Sequence, residues 1–595
     1  MTDERLGEGS APRSQLLGSA TQPSEIPLET RPQTLATDSR RRSAGLVQRK
    51  SSLAALALYV LLALLLLHPD QNIQTHVIGG GADSQSFIWC LSWWPWAISH
   101  GVNPLVSKFV WYPLEFPLLW ATSVPTGSLL CLPITLLAGA VASFNTLSLS
   151  GPPLAAWSAY LLARQLRCRI PASLFCGFVF GFSPYEFGQL LGHLNLDQIY
   201  LVPLVGLLAV RRVQDEFSRP GFVAWMAVVL LLQFGLSSEI FATLCVFGAM
   251  TWAVFVIAAG AALRRKLLRL VPELAVAGLF VAMVIVPALL ATARLAHNLP
   301  PIPHSPQEYS SDLLNFIVPT FVTGPARFAM ALHFTGNVSE QGGYLGIPLV
   351  VIIAWFALRW RHRLHLALVA ATLLIAVASL GPQLWIGGEL TNIQLPWAVA
   401  TRLPLIQGAL PSRFSMYVAL GAGLAAGLWL SADRLTKRAL LCRYVLAVVG
   451  CLCLLPSPGA VAWAPLPLQA FFEPAHFDAA VGRGANIIIV PFAHTGPAML
   501  WQWQSNMHFT QTGGYLGGFP RQFGVPVVKA LMTGDPTPNF PTDLLAFCHQ
   551  NRVTQVLAGP GAQPALLAAL VNTDWPRDVI DAFTVFRVPA SSTPK

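Results

Sequence analysis

The stretch Gly79-Gly80-Gly81-Ala82-Asp83-Ser84-Gln85-Ser86-Phe87 decides the fold. It follows an apolar segment, 51–67, of nearly the length that a membrane crossing needs, and a tryptophan-rich run, 89–96, comes directly after it. Tryptophan concentrates where lipid meets water, so this polar, glycine-rich stretch is expected at a membrane surface. Asp83 is its one acidic residue and the lead candidate for a functional group.

The composition is that of a membrane protein. Of the 595 residues, 54% are hydrophobic and only 11% are charged, and the mean hydropathy is +0.56. A soluble globular chain carries about 25% charged residues. The net charge of +10 does not indicate a nucleic-acid partner, because the basic residues form short clusters between apolar segments. These clusters are typical of topology signals.

The positions of the basic clusters predict about eleven transmembrane helices. Residues 1–50 are predicted to be a disordered cytoplasmic tail, and 51–455 a transmembrane core with large outer loops, 68–125 and 291–344. Two of the predicted spans are 171–191 and 194–210. The prolines within 126–166 leave two alternatives there: either 126–138 is re-entrant, or the positive-inside rule fails in this region.

The composition changes after residue 455. Short apolar runs at 486–492, 552–558 and 583–588 predict strands, and 542–551 and 562–571 predict helices. The fold class is therefore an all-α polytopic membrane protein with a small extracytoplasmic α/β domain at 456–595. The nine cysteines contain no Cys-x-x-Cys pair, and the sequence predicts no metal site.

The predicted topology places several polar residues on one face of the membrane. Besides Asp83, the candidates for substrate binding are His193, Asn195, Asp197, Glu239, Arg294 and Arg413.

Each candidate also has a purely structural interpretation. Asp83 can instead be a solvated loop carboxylate. The polar residues of the turn 193–197 can instead be helix caps. Glu239 stands between two apolar segments without an adjacent cation, where ionisable residues usually face a cavity or a partner. Arg413 has the geometry to hold a phosphate through paired hydrogen bonds, or to reach lipid headgroups from the interface.

Several short motifs carry a family resemblance. In chain order they are the glycine-Asp83 stretch, Phe87-Ile88-Trp89, Gly101-Val102-Asn103-Pro104, Tyr112-Pro113, Phe180-Gly181-Phe182-Ser183-Pro184-Tyr185, Gly192-His193-Leu194-Asn195 and Leu410-Pro411-Ser412-Arg413-Phe414. The chain resembles bacterial type C (GT-C) glycosyltransferases, which are multi-spanning enzymes that take a sugar from a polyprenyl-phosphate carrier.

The resemblance implies a function and a role for Asp83. In the family, a carboxylate in the first outer loop is the general base for transfer of the sugar with inversion, to a glycan, lipid or protein acceptor. Arg413 is the first candidate for the carrier phosphate and Arg294 the second. Many members have a second acidic residue in this loop, where this chain has Ser84, which argues against a two-carboxylate or metal-binding arrangement. A requirement for a divalent metal is left open.

The resemblance also implies a place in the bacterial inner membrane, with the N-terminus cytoplasmic and the C-terminal domain outside. A transporter or flippase of a lipid-linked saccharide is the alternative. It would use the same polar residues on the outer face to bind the saccharide, without needing a general base. Internal duplication, which is common in transporters, is not evident in the sequence.

Overall fold

The computed structural model describes residues 33–299, 304–323, 329–402, 406–432 and 436–590, with side chains from Arg49 onward. Residues 52–595 form one compact unit, and residues 1–51 form another. Residues 1–32 of the predicted disordered tail lie outside the described residues. From Gln33 to Leu67 the described chain is helical, and 33–50 contains no proline and several helix-forming Ala, Leu, Gln and Arg residues. The tail 1–50 as a disordered cytoplasmic segment stays a prediction.

Fifteen helices precede residue 455 in the described chain. They are α1 (Gln33–Leu67), α2 (Gly81–Ser99), α3 (Pro125–Leu130), α4 (Leu132–Gln165), α5 (Ile170–Gly181), α6 (Pro184–Gln189), α7 (Leu201–Val213), α8 (Arg219–Leu236), α9 (Ser238–Ala258), α10 (Ala261–Arg294), α11 (Ile347–Arg359), α12 (Arg363–Ser379), α13 (Trp397–Ala400), α14 (Ser415–Leu430) and α15 (Lys437–Leu454). Within the described residues, 6 are long and apolar enough to cross a membrane, namely α1, α4, α8, α9, α10 and α14 with the turn before it. The chain is a multi-pass membrane protein, and the number of crossings stays a prediction.

The two predicted spans 171–191 and 194–210 are broken in the structure. Helix α5 ends at Gly181, and Ser183 caps α6 by accepting a hydrogen bond from the amide of Glu186. Pro184 suits the first position of α6, where no amide donor is needed. Because α7 begins only at Leu201, residues 190–200 form an irregular connection that carries His193 and Asp197.

Helix α4 is kinked within the segment 126–166. Gly139 has φ 89°, a conformation that glycine adopts without steric cost, and it separates Leu132–Ala138 from the rest of the helix. Leu136 and Leu137 in the first part are 73% and 88% exposed. The segment therefore consists of two differently directed apolar pieces, as its prolines indicate, although the number of crossings that it makes stays a prediction.

The C-terminal residues contain a mixed sheet. The strands of the chain are β1 (His76–Ile78), β2 (Val106–Ser107), β3 (Phe116–Pro117), β4 (Gln383–Ile386), β5 (Glu389–Gln394), β6 (Trp463–Pro465), β7 (Asn486–Val490), β8 (Thr510–Gln511), β9 (Gln555–Ala558), β10 (Arg577–Ile580) and β11 (Phe583–Arg587). The helices here are α16 (Pro474–Ala480), α17 (Ala498–Gln504), α18 (Pro526–Thr533), α19 (Phe540–Gln550) and α20 (Pro564–Val571). Five strands form one sheet in the order β10-β11-β9-β7-β8, and β7 is parallel to both of its neighbours. Every residue of β7 is buried, which explains its uninterrupted apolar pattern.

The C-terminal residues are bonded to the segment that carries Asp83. Strand β1 pairs antiparallel with β6, and the amide of Gly79 donates to the carbonyl of Ala462 at 3.0 Å. On the other side of Asp83, the hydroxyl of Ser86 donates to the carbonyl of Tyr515 at 2.7 Å. The residues on both sides of Asp83 are thus held by C-terminal backbone.

Gln502 is the most completely bonded side chain at this junction. It is fully buried, and its Nε2 donates to the carbonyls of Phe109 and Phe509 at 2.8 and 2.9 Å. Its Oε1 accepts from Trp89 Nε1 at 2.8 Å and from Gln511 Nε2 at 3.1 Å. One amide therefore bonds to four polar groups from both parts of the chain, and Trp89 Nε1 and the carbonyl of Phe509 are buried.

We expect Gln502→Leu to lower the free energy of unfolding by about 3 kcal/mol or more, because it leaves several buried polar groups unpaired. Thermal unfolding of the purified protein in detergent measures the loss. Gln550→Leu is the matched control, since Gln550 is exposed at the end of α19 and should change stability by less than about 0.5 kcal/mol. Equal melting temperatures for the two variants would contradict the assignment of Gln502 as the link.

Candidate active site

The three glycines set the position of Asp83. Gly79, Gly80 and Gly81 have φ values of 80°, 74° and 87°, in the left-handed region that favours glycine. A Cβ on Gly79 would lie 2.3 Å from the carbonyl oxygen of Leu190, so the α6–α7 connection packs directly against this turn. The chain then enters α2, which places Asp83 in the first helical turn, where a carboxylate is favoured by the helix dipole.

The close packing brings Asp83 to His193. Asp83 Oδ2 lies 3.6 Å from His193 Nε2, and the two side chains are 44% and 19% exposed. The backbone of His193 is fixed by its amide, which donates to the carbonyl of Gln189 at 2.9 Å. A partly exposed carboxylate therefore stands over a largely buried imidazole.

Beside this pair, Arg413 binds two carboxylates. Its Nε and Nη2 donate to Glu340 Oε1 at 2.9 and 2.6 Å, and its Nη1 donates to Glu239 Oε2. Ser412 Oγ donates to the other oxygen of Glu340 at 3.0 Å. Glu340 is 2% exposed and Arg413 16%, so this is a largely buried ion triad whose charges sum to minus one.

The pair and the triad act on each other electrostatically. We call Asp83, His193, Glu239, Glu340 and Arg413 the Asp83 cluster. Burial lowers the pKa of His193, although the nearby carboxylates of Glu340 and Asp83 act in the opposite direction. Burial alone would raise the pKa of Glu340, but Arg413 outweighs it and the pKa is lowered. At neutral pH the cluster thus holds a neutral imidazole beside an ionised Glu340.

Two tyrosines border the cluster. Burial raises the pKa of Tyr515, and the charge of Asp83 adds to the effect. Burial also raises the pKa of Tyr309, with a further contribution from Glu340. Tyr515 comes from the C-terminal residues and Tyr309 from the long segment before α11, so the surroundings of Asp83 are assembled from distant parts of the chain.

The other predicted site residues have different surroundings. Asp197 is fully buried and accepts a hydrogen bond from Gln198 Nε2 at 2.6 Å. Asn195 is half-buried and Arg294 is exposed at the end of α10, and neither forms a side-chain hydrogen bond with the Asp83 cluster in the part of the chain that the structure describes. Across these same described residues, no group of three or more His, Cys, Asp or Glu is arranged to hold a metal ion.

We expect the stability of the protein to fall as the pH drops below about 6.5, in part through His193. The pKa of His193 in the folded state lies below its value in the unfolded state, so the unfolded state binds more protons in this range. For one group, the free energy of unfolding then falls by at most about 1.4 kcal/mol for each pH unit. The melting temperatures of the wild type and His193→Gln, measured against pH, should differ by a constant amount above this pH, and below it the wild type should lose stability relative to the variant. Parallel curves throughout would contradict the prediction.

The architecture matches that of solved membrane glycosyltransferases. AftD, an arabinofuranosyltransferase from mycobacteria, is 14% identical and aligns with a TM-score of 0.55 over 92% of this chain and 40% of its own. A variant of AftD is 15% identical and aligns with a TM-score of 0.58 over 91% of this chain and 42% of its own. ArnT from Cupriavidus metallidurans, bound to undecaprenyl phosphate, is 11% identical and aligns with a TM-score of 0.46 over 91% and 99% of the two chains.

The fold is therefore that of the GT-C glycosyltransferases, and the chain spans about two fifths of the length of AftD. The chain belongs to the family described as a domain of unknown function, DUF6311, whose model matches residues 51–455. No curated protein sequence matches the chain significantly.

Proposed function

We propose that this chain is a membrane glycosyltransferase that moves a sugar from a polyprenyl-phosphate carrier to an extracytoplasmic acceptor with inversion. The observation that carries the proposal is the geometry of Asp83, whose partly exposed carboxylate lies 3.6 Å from the largely buried His193. The fold shared with AftD, a sugar transferase by name, supports the same class of reaction.

In the proposed reaction, Asp83 is the general base. Its carboxylate takes the proton of the acceptor hydroxyl while that oxygen attacks the anomeric carbon of the donor sugar. The bond from this carbon to the phosphate oxygen breaks, and the carrier phosphate leaves with the bonding electrons. A single displacement of this kind inverts the anomeric centre.

The neighbours of Asp83 have positioning roles in the proposal. His193 can donate its Nε2 proton toward Asp83 and so orient the carboxylate. Arg413 fixes Glu239, which is 24% exposed and is then available to orient sugar hydroxyls, whereas Glu340 holds Arg413 in place. Because Arg413 already binds two carboxylates, it can contact the carrier phosphate only if one of them yields its hydrogen bonds. Arg294, Asn195 and Asp197 stay candidate substrate ligands.

The proposed location is the inner membrane of a bacterium. In this proposal the basic end of α7 (Arg211, Arg212) and the basic start of α10 (Arg264, Arg265, Lys266) lie on the cytoplasmic side, together with the N-terminus. Asp83 and the C-terminal residues bonded to its segment then lie outside the cytoplasm. A glycan, a lipid or a protein in this compartment can be the acceptor, and the acceptor class is proposed from the compartment and not from any single contact.

The proposal is tested by transfer of labelled sugar from polyprenyl-phosphate donors in membranes that contain or lack the protein. We expect labelled acceptor only when the protein is present, and inverted stereochemistry at the new bond. Repeating the assay with a chelator decides whether a divalent metal is required. Movement of intact labelled carrier across the membrane without sugar transfer would contradict the proposal and support the transporter alternative.

A further inference from the structure

A charged pocket lies at the far end of α8 from the Asp83 cluster. It is a shallow, open depression lined by Arg212, Asp215, Lys266, Arg269, Leu270 and Glu273. Helix α8 begins beside it and ends next to Glu239, and its 18 residues span about 27 Å. The pocket is therefore separate from the proposed active site.

Cations outnumber anions around this pocket. Arg212 holds the buried Glu273 through hydrogen bonds of 2.8 and 2.7 Å, and Arg219 adds a third at 3.1 Å. Lys266 pairs with Asp215 at 2.5 Å. Arg269 is exposed and forms no salt bridge with any described residue. The lining residues therefore carry three cations and two carboxylates, an excess of one positive charge, and Arg219 adds a further cation at the rim.

The pocket opens beside a surface suited to lipid chains. On α10, Leu268 and Val271 are both 46% exposed and Leu274 is 36% exposed, next to the residues that line the pocket. With 34 residues, α10 is about 51 Å long, whereas the hydrocarbon core of a bilayer is about 30 Å thick. The cationic start of α10 can therefore lie at headgroup level while the apolar turns that follow face the chains.

We propose that this pocket binds the phosphate of an anionic membrane lipid whose acyl chains lie along α10. The excess positive charge and the unpaired Arg269 supply the attraction for a phosphodiester. The exposed apolar residues that continue from the pocket favour a lipid over a free phosphate ion. Basic pockets between transmembrane helices are typical sites for such headgroups.

The test compares lipid binding to the full-length protein in detergent by native mass spectrometry. The probes are phosphatidylglycerol, phosphatidylcholine and inorganic phosphate. Lys266→Gln with Arg269→Gln removes two pocket charges but leaves the Arg212–Glu273 bonds intact. Arg265→Gln with Arg438→Gln removes two exposed charges outside the pocket and is the matched control.

We expect the wild type and the control to bind phosphatidylglycerol at least about tenfold more tightly than phosphatidylcholine, and the pocket variant to lose at least about tenfold of that affinity. Arg269→Gln alone should lose a smaller part, and it serves if the double variant does not fold. Equal affinity of the pocket and control variants overturns the proposal. Displacement of the lipid by an equal concentration of inorganic phosphate also overturns it, because the site would then recognise the ion and not the lipid.

Discussion

Replacement of Asp83 by Asn is expected to lower the rate of sugar transfer at least about a hundredfold, the contribution typical of a general base. Asn has nearly the same size and can occupy the same place at the start of α2, but its amide does not accept the proton of an acceptor hydroxyl. The variant should therefore fold normally and bind donor. Transfer of labelled sugar, normalised to the amount of folded protein in the membranes, measures the loss.

Glu115→Gln is the matched control for Asp83→Asn. Glu115 is an exposed carboxylate of the same predicted outer loop, and its partner, the exposed Lys108, lies 2.8 Å away. Exposed pairs of this kind contribute little to stability, so the control removes the same charge without altering the site. Transfer by Asp83→Asn at the rate of the control would contradict the role of Asp83 as base.

Arg413→Gln is expected to lower the free energy of unfolding by about 3–5 kcal/mol, the usual result of removing one partner from a buried ion pair. The substitution leaves Glu340, which is 2% exposed, without the cation that stabilises its charge. Glu239 loses its bond to the same guanidinium. Thermal unfolding in detergent measures the effect.

Two further variants separate lost pairing from general damage by Arg413→Gln. Arg521→Gln removes an exposed arginine and should change stability by less than about 0.5 kcal/mol. Adding Glu340→Gln to Arg413→Gln removes the stranded charge and should restore part of the lost stability. A double variant that is less stable than Arg413→Gln by the full effect of Glu340→Gln alone would show that the two side chains are not coupled.

The sequence could indicate several members of the Asp83 cluster because each breaks a strong local pattern. Asp83 follows three glycines, and Glu239 interrupts an apolar run. The structure brings Asp83 to His193, and Glu239 to Arg413. What the sequence could not supply was their pairing, since the contacts join segments that are far apart in the chain.

Glu340 was not selected as a site residue, although it is the centre of the ion triad. It lies in a long segment without periodicity, among several other ionisable residues, and nothing local distinguishes it from a solvated side chain. Its burial follows from packing of the short helix 338–340 beside α6. There the side-chain Nε2 of Gln189 donates to the carbonyl of Ser339. Only the tertiary structure contains that information.

Hydropathy predicted most long helices but not their interruptions. The segment 171–191 is apolar on average, and its break depends on the cap that Ser183 provides before Pro184. That break allows Tyr185 to donate its hydroxyl to the carbonyl of Leu196 at 3.0 Å within the turn that carries His193. A sliding average over apolar residues cannot detect a signal of two residues.

Strand β1 can pair with β6 only late in synthesis of the chain, because β6 lies almost 400 residues after β1. During translation, Asp83 and every membrane helix described here have been synthesised once residue 454 is reached. Strand β6 follows only at 463–465, and Tyr515, whose carbonyl accepts from Ser86, follows later still. Until β6 is made, β1 has no partner strand, and its described backbone is held by the side chain of Asn145 in α4. A nascent chain that ends at residue 454 therefore contains all of the described membrane helices but still lacks the C-terminal backbone that holds the residues on both sides of Asp83.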